Sequence, residues 1–290
     1  QVVKDKNNYK VTGNSFNIEK ILIKLLGSNK NKTKLFDKNL KLIFDIKKIY
    51  LDKNSITNNL KGFIFLDNNE ITEANLVSEF SDNQKIKFTI KESTNNEKIT
   101  TLFSDNAKPL VNRYEFIKGF DEGSLDFYSI DKNNETNSTL KIYDFKLKEL
   151  PALTKILTLA SLQGIADLLS GEGIRFKEFE MNFTNKNNLM RIDEIYAIGP
   201  AISILMDGYI EKKSLISLRG TLVPATTINK TISSIPILGD ILVGKKIGEG
   251  VFGVSFKIKG PSDDLETTVN PIKTLTPRFI TRTLEKIKKN

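Results

Sequence analysis

Apolar and polar residues alternate with a period of two along much of this chain. Lys85-Ile86-Lys87-Phe88-Thr89-Ile90-Lys91 places Ile86, Phe88 and Ile90 on one side. Phe252, Val254, Phe256 and Ile258 repeat the pattern, with Lys257 and Lys259 opposite. Successive side chains of a strand point to opposite faces, so this alternation predicts strands with one buried face and one wet face. Leu140-Lys141-Ile142 and Phe145-Lys146-Leu147-Lys148 read alike but slip phase at Tyr143-Asp144. Ile174 and Phe176 slip in the same way against Phe179, Met181 and Phe183. An inserted residue, a β-bulge, produces such a slip. Further strands are predicted at 41–47, 60–67, 71–80, 99–103, 124–130, 189–198, 201–211, 214–223 and 265–269. Polar turns part most of them, at Asp67-Asn68-Asn69, Asp131-Lys132-Asn133-Asn134 and Asn185-Lys186-Asn187-Asn188. Many consecutive strands on short polar turns predict an antiparallel meander.

Helical spacing is rarer. Ile18, Ile21, Leu22, Leu25 and Leu26 follow it, with Ser15 as a cap and Gly27 as a stop. A short helix is expected within 108–118. The strongest helical stretch is 151–170, apolar nearly all round, with Pro151 in its first turn and Gly171 after its end. Thr154, Lys155, Gln163 and Asp167 interrupt it, which argues against a membrane span. It reads as a helix buried against the sheet; the sharper alternative is a plug at one end of an apolar groove. An amphipathic helix at 277–288, with Phe279, Ile280, Leu284 and Ile287 among Arg and Lys, would dock on the sheet or touch a membrane surface.

Composition narrows the chemistry. The 290 residues are 39% hydrophobic, enough for a sizeable core. There is no His, Cys or Trp, which excludes Cys nucleophiles, Cys/His zinc sites and imidazole bases. The net charge is +9, yet most of the 44 basic residues are Lys. Nucleic-acid sites favour Arg for bidentate contacts, so the charge does not point to a polyanion. It leaves attraction to anionic membrane surfaces open. No stretch reads as a signal peptide or a transmembrane helix. Residues 1–140 are richer in Asn and Lys and 145–275 more apolar, so two parts, 1–145 and 146–290, are expected on one continuous sheet.

Three motifs tempt and fail. Gly248-Glu249-Gly250-Val251-Phe252-Gly253 matches GxGxxG, but a strand follows it where a dinucleotide site needs a helix. The turn reads as the entry to strand 251–259. Gly239 to Lys246 approaches a phosphate-binding loop, but Lys246 replaces the hydroxyl that would hold magnesium. Asp121-Glu122 and Asp263-Asp264 read as solvated turn formers.

The ordered blocks after residue 144 resemble the C-terminal region of the AsmA-like family. They are Asp144-Phe145, Leu150-Pro151-Ala152-Leu153, Ala160-Ser161-Leu162-Gln163-Gly164-Ile165, and Leu168-Leu169-Ser170-Gly171-Glu172-Gly173-Ile174. Ile198-Gly199-Pro200 and Arg219-Gly220-Thr221-Leu222-Val223-Pro224-Ala225 follow. Then come Ile235-Pro236-Ile237-Leu238-Gly239, Gly250-Val251-Phe252-Gly253-Val254, Lys259-Gly260-Pro261-Ser262-Asp263-Asp264 and Val269-Asn270-Pro271. Upstream, Ser104-Asp105-Asn106-Ala107 and Gly123-Ser124-Leu125-Asp126 resemble the preceding segment. Lys246, Glu249 and the Lys/Asn-rich turns depart from the family pattern.

The resemblance implies a mainly β fold: an elongated, curled antiparallel sheet, groove-like, with a few short helices packed on or capping it. It implies a periplasmic protein tethered to the inner membrane by an N-terminal segment absent from this chain, which starts at Gln1. It implies a part in phospholipid movement between inner and outer membranes, with no catalytic residues, metal or cofactor. Phospholipid is the expected partner, and nucleic acid is not. The alternation supplies candidates for acyl-chain contact: Phe88, Ile90, Phe127, Ile142, Phe176, Phe179, Ile204, Leu218, Phe256 and Ile258. The plainer reading is that these pack against the helices at 18–26 and 151–170. The rival function is a structural or assembly factor for the outer membrane, acting through envelope protein partners.

Overall fold

The chain is mainly β, as its alternation predicts. The computed structural model describes residues 1–5, 8–19, 39–67, 70–80, 83–112, 119–148, 150–211, 215–224, 253–261 and 264–272. In chain order the elements are β1 (Val2–Asp5), β2 (Asn8–Asn17), β3 (Leu40–Tyr50), β4 (Ile56–Asp67), β5 (Glu70–Glu79), β6 (Lys85–Glu92), β7 (Lys98–Ser104), α1 (Lys108–Val111), β8 (Asp121–Lys132) and β9 (Glu135–Leu147). There follow α2 (Pro151–Leu159), α3 (Gln163–Ser170), β10 (Ile174–Lys186), β11 (Leu189–Ile198), β12 (Ile202–Glu211), β13 (Leu215–Pro224), β14 (Gly253–Gly260) and β15 (Glu266–Ile272). The strands form one sheet in the order of the sequence, and it is not closed into a barrel. The contacts divide the chain into two units, Gln1–Tyr114 with Glu122–Ile142, and Glu115–Asp121 with Tyr143–Asn290.

In the first unit, two strands lie where none is expected. β2 reads Asn-Tyr-Lys-Val-Thr-Gly-Asn-Ser-Phe-Asn, poor in strand-forming residues, yet it pairs along its length with β3. Ser15 is therefore a strand residue opposite Lys48, not a helix cap. The β2–β3 ladder is also parallel, a departure from the all-antiparallel expectation. A parallel pair needs a long crossover, which residues 18–39 span. The helix expected at 18–26 falls, beyond residue 19, outside the described residues, as do 113–118, the glycine-rich turns at 239–252 and the helix at 277–288.

The core of this unit gathers Ile46, Ile49, Leu51 and Phe80, with Val11, Ile18, Phe44, Leu60 and Ile86 packed against them. Ile46 and Ile49 are three apart, which strict alternation would put on opposite faces. Nearby, Asn59 takes a φ of 57° and the β4–β5 ladder shifts register between Asn58 and Lys61. Between β8 and β9, Asn133 and Asn134 have φ of 53° and 62°, the left-handed pair of a tight hairpin turn.

In the second unit, the slip expected at Tyr143-Asp144 is present. Asp144 has a φ of 50°, and Phe145 and Leu147 are buried beyond it. Phe145 lies between Phe120 and Phe176, with ring centroids 5.3 Å away on either side. The predicted helix at 151–170 is two helices. Pro151 does open α2 and Gly171 does end α3. Ser161, at φ 58°, breaks the run between them. No Gly or Pro marks that break in the sequence. Leu153, Ile156 and Leu157 are buried at spacings of three and four as α2 packs on α3 and β15. Its contact with the sheet is made at the last strand, β15.

Candidate functional site

Residues paired directly across a ladder share a face, so the registers of β10 to β15 sort the side chains of the second unit. One row runs Phe179, Ala197, Ile204, Leu222 and Val254. The next runs Met181, Ile195, Met206, Gly220, Phe256 and Val269. A third runs Phe183, Ile192, Gly208, Leu218, Ile258 and Thr267. All three lie on one face, because the shift between Ile192 and Ile195 absorbs the odd residue count. The rows differ in exposure. In the first row Ala197, Ile204, Leu222 and Val254 are buried and Phe179 is half-buried; in the other two Ile192, Ile195, Phe256 and Ile258 are buried, whereas Met181, Phe183, Met206 and Leu218 are half-buried. The face is therefore more enclosed at one end of the strands and partly accessible toward the other.

The opposite face of these strands is polar over the same stretch. Asp207, Arg219, Lys257 and Thr268 make one row, in which Arg219 Nε donates to Asp207 Oδ1 at 2.9 Å. Thr184, Arg191, Tyr209, Ser217, Lys259 and Glu266 make another. Toward the covered end, Tyr196 and Leu205 replace these groups and are buried.

Two glycines of the apolar face have no room for a side chain. Gly208, at φ 151°, would drive a Cβ into the carbonyl of Ser217. At Gly220 a Cβ would meet Met206 Cβ and the tip of the Phe256 ring, each at 2.6 Å. The Phe256 ring thus reaches across Gly220 toward Met206.

The first unit builds a comparable face. Val2, Val11, Phe44, Gly62, Leu76, Phe88, Leu102 and Phe127 are paired one to the next across eight strands. Between Val11 and Phe127 these positions are half-buried. The adjacent row carries Leu42, Ile64, Ala74 and Ile90 but ends on Thr100 and Ser129. The reverse face mixes Lys10, Ile43, Phe63, Asn75, Thr89, Thr101 and Tyr128 in one row. There Lys41 sits 4.2 Å from the Phe63 ring centroid, and the Thr89 and Thr101 hydroxyls are hydrogen-bonded at 2.7 Å.

The residues expected to line an apolar surface fall into three groups. Phe179, Ile204, Leu218, Phe256 and Ile258 share the face of the second unit. Phe88, Ile90 and Phe127 share that of the first. Ile142 is buried in β9, and Phe176 is enclosed in the stack with Phe145, at 2% exposure. From Glu178 to Lys186 the β10–β11 ladder shifts register once, between Asn182 and Phe183, downstream of the slip expected between Phe176 and Phe179. Leu76, Leu102, Met181 and Met206 belong to the same rows but are not among the expected acyl-contact residues, although all four fall in stretches whose alternation predicts strands.

Among the described residues no three His, Cys, Asp or Glu are grouped as a metal site would require, and no helix is long and apolar enough to cross a membrane. What the geometry defines is a β protein in which the rows of Phe179, Met181 and Phe183 across β10 to β15 carry no charged side chain. No family model, curated protein or solved structure matches the chain.

Proposed function

We propose that this chain is a non-enzymatic lipid-handling module of AsmA-like type, which receives phospholipid acyl chains on the apolar face of its sheet. In this reading it works in the periplasm, tethered to the inner membrane. It contributes to phospholipid transport between the inner and outer membranes and to envelope integrity. The observation that carries the reading is the set of three uncharged rows across β10 to β15, half accessible and backed by Asp207, Arg219 and Lys257 on the reverse. Apolar contact is non-directional, so such a face needs no sequence-specific or headgroup-specific groups to hold a chain. Its size suits one. Six strands at the usual spacing span about 24 Å, whereas one leaflet of a bilayer core is about 15 Å thick. Each methylene removed from water contributes about 0.8 kcal/mol.

The test is to express the chain in the periplasm of a bacterium, purify it without detergent and analyse it by mass spectrometry. Phospholipid carried through size exclusion supports the reading; a lipid-free protein that also refuses added phospholipid overturns it. A second reading, an outer-membrane assembly factor acting through envelope proteins, is favoured by one feature of the first unit. Ile43, Phe103 and Tyr128 are 37%, 41% and 43% exposed on its reverse face. That reading requires crosslinked protein partners and no bound lipid.

A further inference from the structure

The protein has three methionines, Met181, Met190 and Met206. All three lie on the apolar face of the second unit. Met181 and Met206 flank Ile195 in one row, and Met190 pairs with Ile210 two residues beyond Ile192. All three are half-buried. Their surroundings are stiffer. Ile192, Ile195, Ile204 and Ile258 are β-branched, with restricted side-chain torsions. Met206 also borders the gap left by Gly220, across which the Phe256 ring approaches. Methionine is unbranched, has three rotatable bonds and carries a polarizable sulfur, so it refills irregular space. From Phe179 to Asn185 of β10, and along the residues paired with them through β15, no charged side chain lies on this face, and Thr267 and Asn185 are its polar members. The complementary occupant is a hydrocarbon chain that makes no hydrogen bonds.

We propose that Met181, Met190 and Met206 set the breadth of chain selectivity. They reshape the accessible end of the face so that straight and kinked acyl chains both fit. The proposal rests on the lipid reading given above.

The experiment compares fluorescent phospholipids bearing saturated or mono-unsaturated chains, bound to the wild-type chain and to the triple variant M181I/M190I/M206I. Isoleucine keeps the surface apolar and suits a strand but removes the adaptable torsions. The variant is expected to alter the ratio of the two affinities by about tenfold, the discrimination that a shape difference of one methylene supports in an apolar pocket. An unchanged ratio in a variant of native circular dichroism overturns the proposal. If the triple variant does not fold, the wild-type protein is treated with hydrogen peroxide. The peroxide transfers one oxygen to each thioether sulfur, giving the sulfoxide and water. A changed ratio of the two affinities, with sulfoxide mapped to these three residues, then supports the proposal, and an unchanged ratio overturns it. A wild-type protein that binds neither lipid defeats the lipid reading itself, and this proposal with it.

Discussion

In the second unit, Leu218 and Ile258 face one way while Arg219 and Lys257 face the other. In the first, Phe88 and Leu102 share a row with Phe127, but Ile43, Phe63 and Tyr128 look out from the reverse beside Lys10 and Thr89. The two units use the same ladder geometry and sort their side chains differently. Hydroxyls sharpen the contrast. Thr100, Ser104 and Ser129 enter the apolar side of the first unit, and Ser104 Oγ donates to the Asn106 carbonyl at 2.6 Å. The second unit keeps such groups off the rows between Phe179 and Ile258. Segregation of this kind leaves one uncharged apolar surface, whereas mixing leaves a sheet that is half-wetted on both sides.

The largest effect should come from what the units share. Gly62 in the first and Gly208 in the second both sit on the apolar face at φ of 134° and 151°, against a carbonyl of the next strand. Gly62→Val or Gly208→Val is expected to cost about 3 kcal/mol or more, from backbone strain and overpacking together. Urea denaturation measures it, and a loss below 1 kcal/mol (roughly the level of an ordinary exposed strand glycine) would remove these glycines as joints of the two faces. A middle-sized effect separates the units. Leu218→Glu places a charge among uncharged rows and should weaken acyl-chain binding by about tenfold or more. Phe127→Glu, near the Ser129 and Thr100 hydroxyls, should weaken it by about threefold, since a polar environment eases burial of the new group. Titration with a fluorescent fatty acid tests the order, and equal losses would erase the distinction between the faces. The smallest effect concerns the wet sides. Arg219 pairs with Asp207 at 2.9 Å in the second unit and Lys132 with Glu97 at 2.8 Å in the first. Arg219→Ala and Lys132→Ala are each expected to cost about 0.5 kcal/mol and to leave binding unchanged. A large binding loss in Arg219→Ala would assign the polar face a part in recognition.

Much of this architecture was legible as alternation. The strands around Phe88, Leu218 and Phe256 declare themselves because apolar and polar positions repeat every two residues with few exceptions. Asp144 was legible too, since an inserted residue shows as a phase slip. β2 was not, because Asn, Gly and Ser carry little strand preference and its pairing comes from β3. The break at Ser161 was hidden for the opposite reason: the run 151–170 is apolar nearly throughout, and no Gly or Pro stands at the break itself. Phe176 and Phe179 were both expected to contact acyl chains. The Phe145 ring, itself stacked on Phe120, encloses Phe176. Register was the deepest gap. That Met181, Met206 and Phe256 fall in a single row depends on where each ladder shifts, and no stretch of residues records this by itself.

The strands lie side by side in the order in which they occur along the chain. Each therefore has to find only the one made just before it, and closing each short hairpin carries a small entropic cost. Assembly can proceed as a zipper, slowed at the longer connections from β2 to β3, β9 to β10 and β13 to β14. The same arrangement gives the molecule an evolutionary elasticity. Gain or loss of one hairpin lengthens or shortens the sheet by two strands while disturbing one seam, as in repeat proteins whose units touch only their neighbours.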